Sequence, residues 1–220
     1  MELFTYPLTC NAIKVSLILA ELQIEPELKL ISLNKGEQKR TEFLSLNPNG
    51  TIPVLKDKDK VLWESNAILF YLAKAYNSSL SARNFQEEVE VMRWLNWQAS
   101  EWSPASSGFA HHRVMRPLWG LASDEERLAA LDNSFKRYAE ILDQQLSWQD
   151  FLISDDISIV DISVASTLMF WREAEIPIEG YSNLHEWLQR LENQLWWMET
   201  KQNLKNFMIL KHVYAFTLCK

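Results

Sequence analysis

The spacing of hydrophobic residues predicts two kinds of element in the first 80 positions of this 220-residue chain. Short apolar runs are typical of buried strands, whereas apolar residues that recur every three or four positions are typical of helices. Strands are predicted at residues 3–6, 28–33, 54–56 and 61–63, and helices at residues 11–22, 37–46 and 65–76. The last two strands are separated by Asp57, Lys58 and Asp59, a short polar turn that predicts a hairpin. The order of elements is therefore βαβ followed by ββα.

The strand pattern stops after Leu80, and only helical spacing remains. Helices are predicted at residues 85–102, 124–146, 158–171 and 182–198. Ser158 and Asp161 have the spacing of a capping box, in which each side chain bonds the other residue's backbone amide at the start of a helix. Residues 103–123 contain two prolines and two glycines, which predict a bend or a mobile segment in this part of the chain.

A short polar stretch, residues 77–81, lies between the two patterns and marks a candidate domain boundary. The charge distribution changes at the same place, because the first 80 residues are electrically neutral and the whole net charge of −7 lies after them. The fold class expected is α/β plus all-α. We expect a βαβ–ββα domain at residues 1–80 and an all-helical domain at residues 81–220.

The composition excludes several classes of function. Hydrophobic residues make up 47% and charged residues 23%, which is typical of a globular chain rather than a disordered or membrane-embedded one. The 5 glycines stand too far apart to form either glycine-rich phosphate motif, so Rossmann and P-loop nucleotide binding are excluded. A net charge of −7 would repel a phosphate backbone, and no nucleic-acid partner is expected.

The number and spacing of the cysteines bear on the cellular compartment in which the protein is expected. Cys10 and Cys219 are the only cysteines, too few for a disulfide framework and without the spacing of a zinc ribbon. A basic leader is absent, and no apolar run approaches the roughly 18 residues that a membrane-spanning helix needs. We therefore expect a cytoplasmic protein with no membrane partner.

Two motifs carry candidate chemistry. They are Asn47–Leu55, which reads N-P-N-G-T-I-P-V-L, and Trp63–Ile68, which reads W-E-S-N-A-I. In the second motif Ser65 opens a helix directly after a strand, so free backbone amides and the positive end of the helix dipole can receive a carboxylate. The adjacent Glu64 can pair with an ammonium group. Together they suit the zwitterionic end of an amino acid.

These two motifs resemble those of the glutathione transferases, and the resemblance covers essentially the whole chain, closest to the bacterial-type serine and cysteine classes. It implies a thioredoxin-like N-terminal domain, a cis bond before Pro53, and glutathione as co-substrate without a metal. In that family the proline motif pairs with the cysteinyl part of glutathione, and the second motif holds the γ-glutamyl end. The implied glutathione-binding residues are Gln38, Lys39, Thr51, Ile52, Pro53, Glu64 and Ser65.

Three residues compete to hold the glutathione thiol as a thiolate. Thr9 matches the position of the family's catalytic serine, and its hydroxyl can donate a hydrogen bond to a thiolate. Cys10 matches the catalytic cysteine of the bacterial beta-type enzymes and could form a mixed disulfide with glutathione, although a buried and inert cysteine is the plain alternative. Tyr6, at the end of the first strand, resembles the catalytic tyrosine of the tyrosine-type members. We rank Thr9 first, Cys10 second and Tyr6 third.

The resemblance also implies an apolar cleft for the second substrate, beside the first helix of the helical domain. The candidate lining residues are Leu8, Trp102, Phe109, His112 and Arg113. The adjacent His111 and His112 point apart and have no further ligand at metal-binding spacing, so no metal site is expected.

The sequence thus predicts a glutathione transferase that activates glutathione as a thiolate and transfers it to a hydrophobic electrophile. The resemblance implies a homodimer with a role in detoxification. Two alternatives stay open: a glutathione-dependent disulfide reductase or peroxidase that uses Cys10, and a non-catalytic protein of the same fold with a binding or regulatory role.

Overall fold

The computed structural model describes the backbone of residues 1–217 and the side chains of residues 1–210; Cys219 lies outside the described residues. A four-stranded sheet has the order β2-β1-β3-β4, with β1 parallel to β2 and the other pairs antiparallel. The strands are β1 (Glu2–Thr5), β2 (Glu27–Leu30), β3 (Val54–Asp57) and β4 (Lys60–Trp63). The parallel pair is joined by a helical crossover, and the last two strands form the predicted hairpin, which turns through Lys58 at φ 54°.

The helices of this unit are α1 (Cys10–Glu21), α2 (Thr41–Leu44) and α3 (Ser65–Ala75). Helices α1 and α3 pack against each other. The helix predicted at residues 37–46 is wrong in extent, since two short 3-10 turns precede the single turn of α2. Gly36 at φ 67° and the extended backbone of Arg40 interrupt the helical path there.

The first helix of the second unit is far longer than predicted. It consists of α4 (Phe85–Trp97), a wide turn at Gln98–Trp102, α5 (Ser103–Ala110), a second wide turn at His111–Met115, and α6 (Arg116–Leu118). The predicted end of this helix at Trp102 is therefore wrong, because the backbone stays helical as far as Leu118, through much of the segment 103–123 in which a bend or a mobile segment is expected. Each wide turn ends just before a proline, so Pro104 and Pro117 occupy first-turn positions where their missing N–H costs little.

The remaining helices are α7 (Glu125–Leu146), α8 (Ile159–Ala165), α9 (Ser182–Glu192) and α10 (Leu195–Thr217). The predicted helix at residues 182–198 is in fact α9 and the start of α10, separated at Asn193 and Gln194. The predicted capping box of α8 is confirmed, because the backbone N–H and hydroxyl of Ser158 both donate to Asp161 Oδ2 at 2.8 Å.

One hydrophobic core runs through both units. It extends from Leu3 of the sheet through Ile18 of α1 to Leu142 of α7 and Trp187 of α9, all of which are buried. The order of elements confirms the predicted fold class, a βαβ–ββα unit followed by helices. The domain boundary at residue 80 stays a prediction. No helix within residues 1–217 is both long and apolar enough to cross a membrane.

Candidate active site

The loop that precedes β3 is held in shape by one buried amide. Asn47 donates from Nδ2 to the carbonyl oxygen of Thr51 at 2.8 Å and accepts at Oδ1 from the amide of Asn49 at 3.0 Å. These bonds present the Ile52–Pro53 bond at the end of the sheet, and this bond is cis, as the resemblance implies.

Gln38 and Lys39 lie against the same loop. Lys39 Nζ donates to the carbonyl oxygen of Asn49 at 3.2 Å, and a Cβ at Gly50 would come within 2.9 Å of the carbonyl oxygen of Gln38. Gln38 is half-buried, and its Oε1 atom has no hydrogen-bond partner among the described residues. The structure thus brings these two polar side chains to the edge of the loop that contains Pro53.

Helix α3 begins at a distorted junction. Glu64 has φ 70° and ψ 109°, a conformation that costs a non-glycine residue about 1–3 kcal/mol. Its side chain is exposed, whereas the next residue, Ser65, is buried. Ser65 Oγ donates to Oδ1 of Asn11 at 3.1 Å, which ties the N-terminus of α3 to that of α1. The two helix N-termini therefore lie side by side.

A buried lysine lies behind this junction. Lys14 is only 1% exposed, and its ammonium donates to Ser65 Oγ at 3.1 Å, Asn66 Oδ1 at 2.6 Å and Gln98 Oε1 at 3.1 Å. Within the described part of the chain no carboxylate lies within 4.0 Å of it. Burial lowers the pKa of Lys14 to about 8, against the opposing influence of Cys10 and Glu64. The ammonium thus links α1, α3 and the first wide turn of the long helix.

We expect Lys14→Met to remove part of the pH dependence of the free energy of unfolding. Between the folded pKa of about 8 and the ordinary value of 10.5, the unfolded chain holds a proton that the folded protein lacks. The free energy of unfolding of the native protein should therefore rise by about 2 kcal/mol more than that of the variant between about pH 7.5 and about pH 10. Chemical denaturation measures this difference, with the exposed Lys35→Met as control. Parallel pH profiles for the native protein and Lys14→Met would contradict it.

Thr9 caps the N-terminus of α1. Its hydroxyl accepts from the amide of Ala12 at 3.3 Å and donates to the carbonyl oxygen of Tyr6 at 3.3 Å. Both distances are long, so the hydroxyl can exchange its acceptor at small cost. The side chain is half-buried at the point where the first strand passes into α1.

Cys10, the first residue of α1, has a different electrostatic setting. Burial raises the pKa of its thiol, and this effect outweighs the charge of Lys14 and the hydrogen bond to Ser103, which both lower the pKa. The third candidate, Tyr6, is buried and accepts at its hydroxyl from Trp119 Nε1 at 3.2 Å. Thr9 is thus the hydroxyl that lies at the end of α1 beside the cavity.

A cavity of about 500 Å³ opens onto Thr9 and Cys10. Of the predicted lining residues it contains Leu8 and His112. Its opposite wall is formed by the long helix. Asp124 and Arg127, at the start of α7, complete this wall. Residues of this cavity that the sequence reasoning did not single out include Ile13, Leu33, Met115, Arg116 and Arg127.

Trp102, Phe109 and Arg113 do not line this cavity. Trp102 is fully buried and donates from Nε1 to the carbonyl oxygen of Val164 at 3.0 Å, and Phe109 packs edge-on against Phe135. The guanidinium of Arg113 pairs with two carboxylates, those of Glu125 at 3.1 Å and Glu175 at 3.2 Å. Because the segment is helical, these three residues share a side of the helix that faces away from the cavity.

Lys14 is a further residue of the site that the sequence analysis did not predict. One signal was present, since Lys14 lies one helical turn before Ile18 and so falls on the apolar face of α1. A charged residue on such a face is rarely buried unless it has partners, and the partners of Lys14 lie 51 to 84 residues away along the chain. Among the described residues no group of three or more histidine, cysteine or acidic side chains could hold a metal ion.

The chain is similar to proteins of one known family. Two family models match, "Glutathione S-transferase, N-terminal domain" over residues 1–74 and "Glutathione S-transferase, C-terminal domain" over residues 125–190. Among curated proteins, the chain is 31% identical to glutathione S-transferase GstB of Escherichia coli over 187 residues, which covers 82% of this chain and 88% of that protein.

Solved structures agree on the fold. Glutathione transferase F7 from Populus trichocarpa superimposes with a TM-score of 0.83 at 22% identity, and the match covers 91% of this chain and 97% of the other. Glutathione S-transferase I, solved with the ligand lactoylglutathione, gives a TM-score of 0.81 at 23% identity and covers 91% of this chain and 98% of the other.

Proposed function

The chain belongs to the glutathione S-transferase family, and we propose that it joins the sulfur of glutathione to an electrophilic carbon of a second substrate in the cavity beside Thr9. One observation carries this proposal: a cavity of about 500 Å³ opens onto the capped N-terminus of α1. The hydrogen bond from Ser65 to Asn11 brings the N-terminus of α3 to the same place. Glutathione is thus the co-substrate that we expect here.

We propose that the γ-glutamyl end of glutathione binds at the start of α3. Its carboxylate would accept from the free amides of the first turn and from the hydroxyl of Ser65, which would turn away from Asn11 Oδ1, and its ammonium would pair with the exposed Glu64. The buried ammonium of Lys14, 3.1 Å from Ser65 Oγ, adds positive charge behind this site. Within the described residues no carboxylate lies within 4.0 Å of Lys14, and Glu64 acts on it only from farther away, so a bound carboxylate would add negative charge close to this ammonium.

The rest of the tripeptide would run along the loop before β3. Thr51 is exposed and Ile52 half-buried next to the cis bond before Pro53, so the tripeptide would pass beside them, and its glycyl carboxylate would reach Gln38 Nε2 and Lys39 Nζ. The unpartnered Oε1 of Gln38 is a hydrogen-bond acceptor and supports a ligand N–H at this edge, such as an amide of the tripeptide, since a buried polar atom is normally paired.

The proposed chemistry at Thr9 is a substitution. The thiol proton of glutathione passes to solvent, and the hydroxyl of Thr9 turns from the carbonyl oxygen of Tyr6 to donate to the thiolate. The thiolate then forms a carbon–sulfur bond with the electrophile, and the leaving group departs with its bonding electrons. The protein supplies the anion site and the position of the two reactants.

The raised pKa of Cys10 supports Thr9 over a disulfide reductase. A thiol must be ionised to attack a disulfide, and burial opposes ionisation here. Conjugation of chlorodinitrobenzene by the native protein is the direct test of the transferase. A protein that binds glutathione but conjugates no aryl halide would contradict the proposal and favour the binding or regulatory role. The cytoplasmic location expected from the sequence stays a prediction.

We also propose that the protein is a homodimer in which the first unit of one subunit meets the helical unit of the other. Exposed apolar side chains support this arrangement. Phe85, Val89 and Met92 are 73%, 48% and 52% exposed at helical spacing on α4, and Trp63 is 40% exposed on the edge strand β4. Single exposed hydrophobics are ordinary, but a row of three on one helix is typical of an interface.

Light scattering should give about twice the monomer mass of 25.8 kDa at micromolar concentration. The double variant Phe85→Glu/Met92→Glu should shift the mass toward that of the monomer, because two carboxylates would be buried without partners. Trp148→Glu is the matched control, since Trp148 is also exposed but lies after α7. A native protein of monomer mass would overturn the dimer.

A further inference from the structure

The cavity beside Thr9 is not uniformly apolar. Its wall includes the guanidinium groups of Arg116 and Arg127 and the imidazoles of His111 and His112, whereas Asp124 is the acidic residue of the wall. The whole protein carries a net charge of −7, so a basic wall is not a consequence of its composition. It is a local accumulation of positive charge around one pocket.

The two arginines of this wall differ from most others in the chain. Six of the nine arginines lie within 4.0 Å of a carboxylate, but Arg116 and Arg127 do not within the part of the chain that the structure describes. Arg116 Nε donates to the carbonyl oxygen of Ala122 at 2.7 Å, which fixes the guanidinium while leaving its terminal nitrogens for another acceptor. Asp124 forms no ion pair with either arginine within 4.0 Å, and its Oδ1 caps α7 by accepting from the amide of Arg127 at 3.0 Å.

A second observation concerns His112. This side chain is 5% exposed and lines the cavity, and its Nδ1 atom has no hydrogen-bond partner among residues 1–210. Buried ring nitrogens are normally paired, so an unpaired one on a cavity wall indicates a polar group of a ligand. Burial lowers the pKa of both His111 and His112, and the positive charge of Arg116 lowers it further. Neutral imidazoles leave the two arginines as the cations of the wall.

We propose that the second substrate carries an acidic group, a carboxylate on an apolar or aromatic electrophile, which Arg116 and Arg127 bind while the reactive carbon lies beside Thr9. This inference rests on the proposed function and names its substrate class. The apolar part of the substrate would contact Leu8, Ile13 and Met115. Guanidinium groups suit a carboxylate because they donate in a planar, two-pronged geometry.

The test compares two electrophiles that share a ring and a leaving group, a chloronitrobenzoate and the matching chloronitrobenzamide. Each kcat/KM is divided by the rate constant of the uncatalysed reaction of the same electrophile with glutathione. This corrects for the different intrinsic reactivities of the two electrophiles. The acid should be preferred about 10- to 100-fold, the range for one or two charge-assisted hydrogen bonds. Arg116→Met/Arg127→Met should remove this preference, mainly through a higher KM for the acid, whereas kcat/KM for the amide should fall by a much smaller factor. Arg127→Met alone should remove part of it, and it avoids the loss of the bond to Ala122. The control is Arg137→Met, which removes an exposed arginine from α7, the helix that also contains Arg127.

Binding of the two glutathione conjugates, followed by tryptophan fluorescence, separates this inference from the proposed function. Tighter binding of the acid conjugate, lost in Arg116→Met/Arg127→Met, supports the inference even if neither electrophile is turned over, in which case the transferase proposal fails alone. Equal binding and equal turnover of acid and amide would overturn the inference and leave the transferase intact. Equal losses for acid and amide in the double variant would also overturn it.

Discussion

Replacing Glu64 and Ser65 together by alanine is expected to weaken glutathione binding by at least about 100-fold, because one charged partner and one hydroxyl donor of the γ-glutamyl end are lost. Calorimetry with reduced glutathione at millimolar concentration measures the change. The control is Ser182→Ala/Glu186→Ala at the start of α9, which removes the same two side-chain types from exposed positions. The native protein and this control should give the same affinity.

Ser65 also bonds Asn11 and Lys14, so the double variant must be shown to fold by its thermal transition. Glu64→Gln provides an independent variant, since the side chain of Glu64 is exposed and its loss of charge leaves the packing unchanged. We expect about 10-fold weaker binding from it. An unchanged affinity in both variants, or no heat with the native protein, would overturn the assignment of the glutathione site.

Thr9→Ala is expected to lower kcat/KM for conjugation of an aryl halide by roughly 10- to 1000-fold, the range for removing one donor from a preorganised anion site. The loss should lie mainly in kcat, because the thiolate is the reacting group. Thr9→Ser should restore most of the activity, since it keeps the hydroxyl. The side chain also caps α1, so Thr9→Ala should lose about 1 kcal/mol of stability, which denaturation measures separately.

Cys10→Ala is the matched variant at the next position, and it should change conjugation little because the Cys10 pKa is raised. The opposite pattern would assign the chemistry to Cys10. In that case Cys10→Ala would abolish reduction of a glutathione mixed disulfide, and mass spectrometry would find a glutathione adduct on Cys10 in the native protein. If both single variants kept full activity in both assays, neither residue would activate glutathione, and Tyr6 or the Asn11 amide would be the next candidate.

Much of the fold followed from local patterns. The alternation of short apolar runs and helical spacing predicted the βαβ–ββα unit, since each strand and helix there is bounded by polar or turn residues close in sequence. The motifs around Pro53 and Ser65 are each a stretch of fewer than ten residues. The loop before Pro53 is held within its own sequence by the bond from Asn47 to Thr51, whereas Ser65 also bonds Asn11 and Lys14 of α1.

The cavity wall was harder to predict because it depends on a helix that ordinary rules would end. Proline disfavours a regular α-helix, but the wide turns before Pro104 and Pro117 provide positions that need no amide. Without the path of the helix, the side that faces the cavity could not be assigned, and the structure places Trp102, Phe109 and Arg113 outside the cavity beside Thr9. Gly108 shows the same dependence on distant residues, because a Cβ there would collide with Leu131 Cδ1 of α7.

The buried ammonium of Lys14 constrains how this sequence can change over evolutionary time. Asn66 and Gln98 both accept hydrogen bonds from it, and Asn66 Nδ2 also donates to Gln98 Oε1 at 3.1 Å. Loss of one member leaves buried polar atoms unpaired, which costs about 1–3 kcal/mol, whereas replacing the set by apolar side chains of similar shape can be nearly neutral. Lineages that descend from this protein would therefore tend to inherit the three residues together or exchange them together.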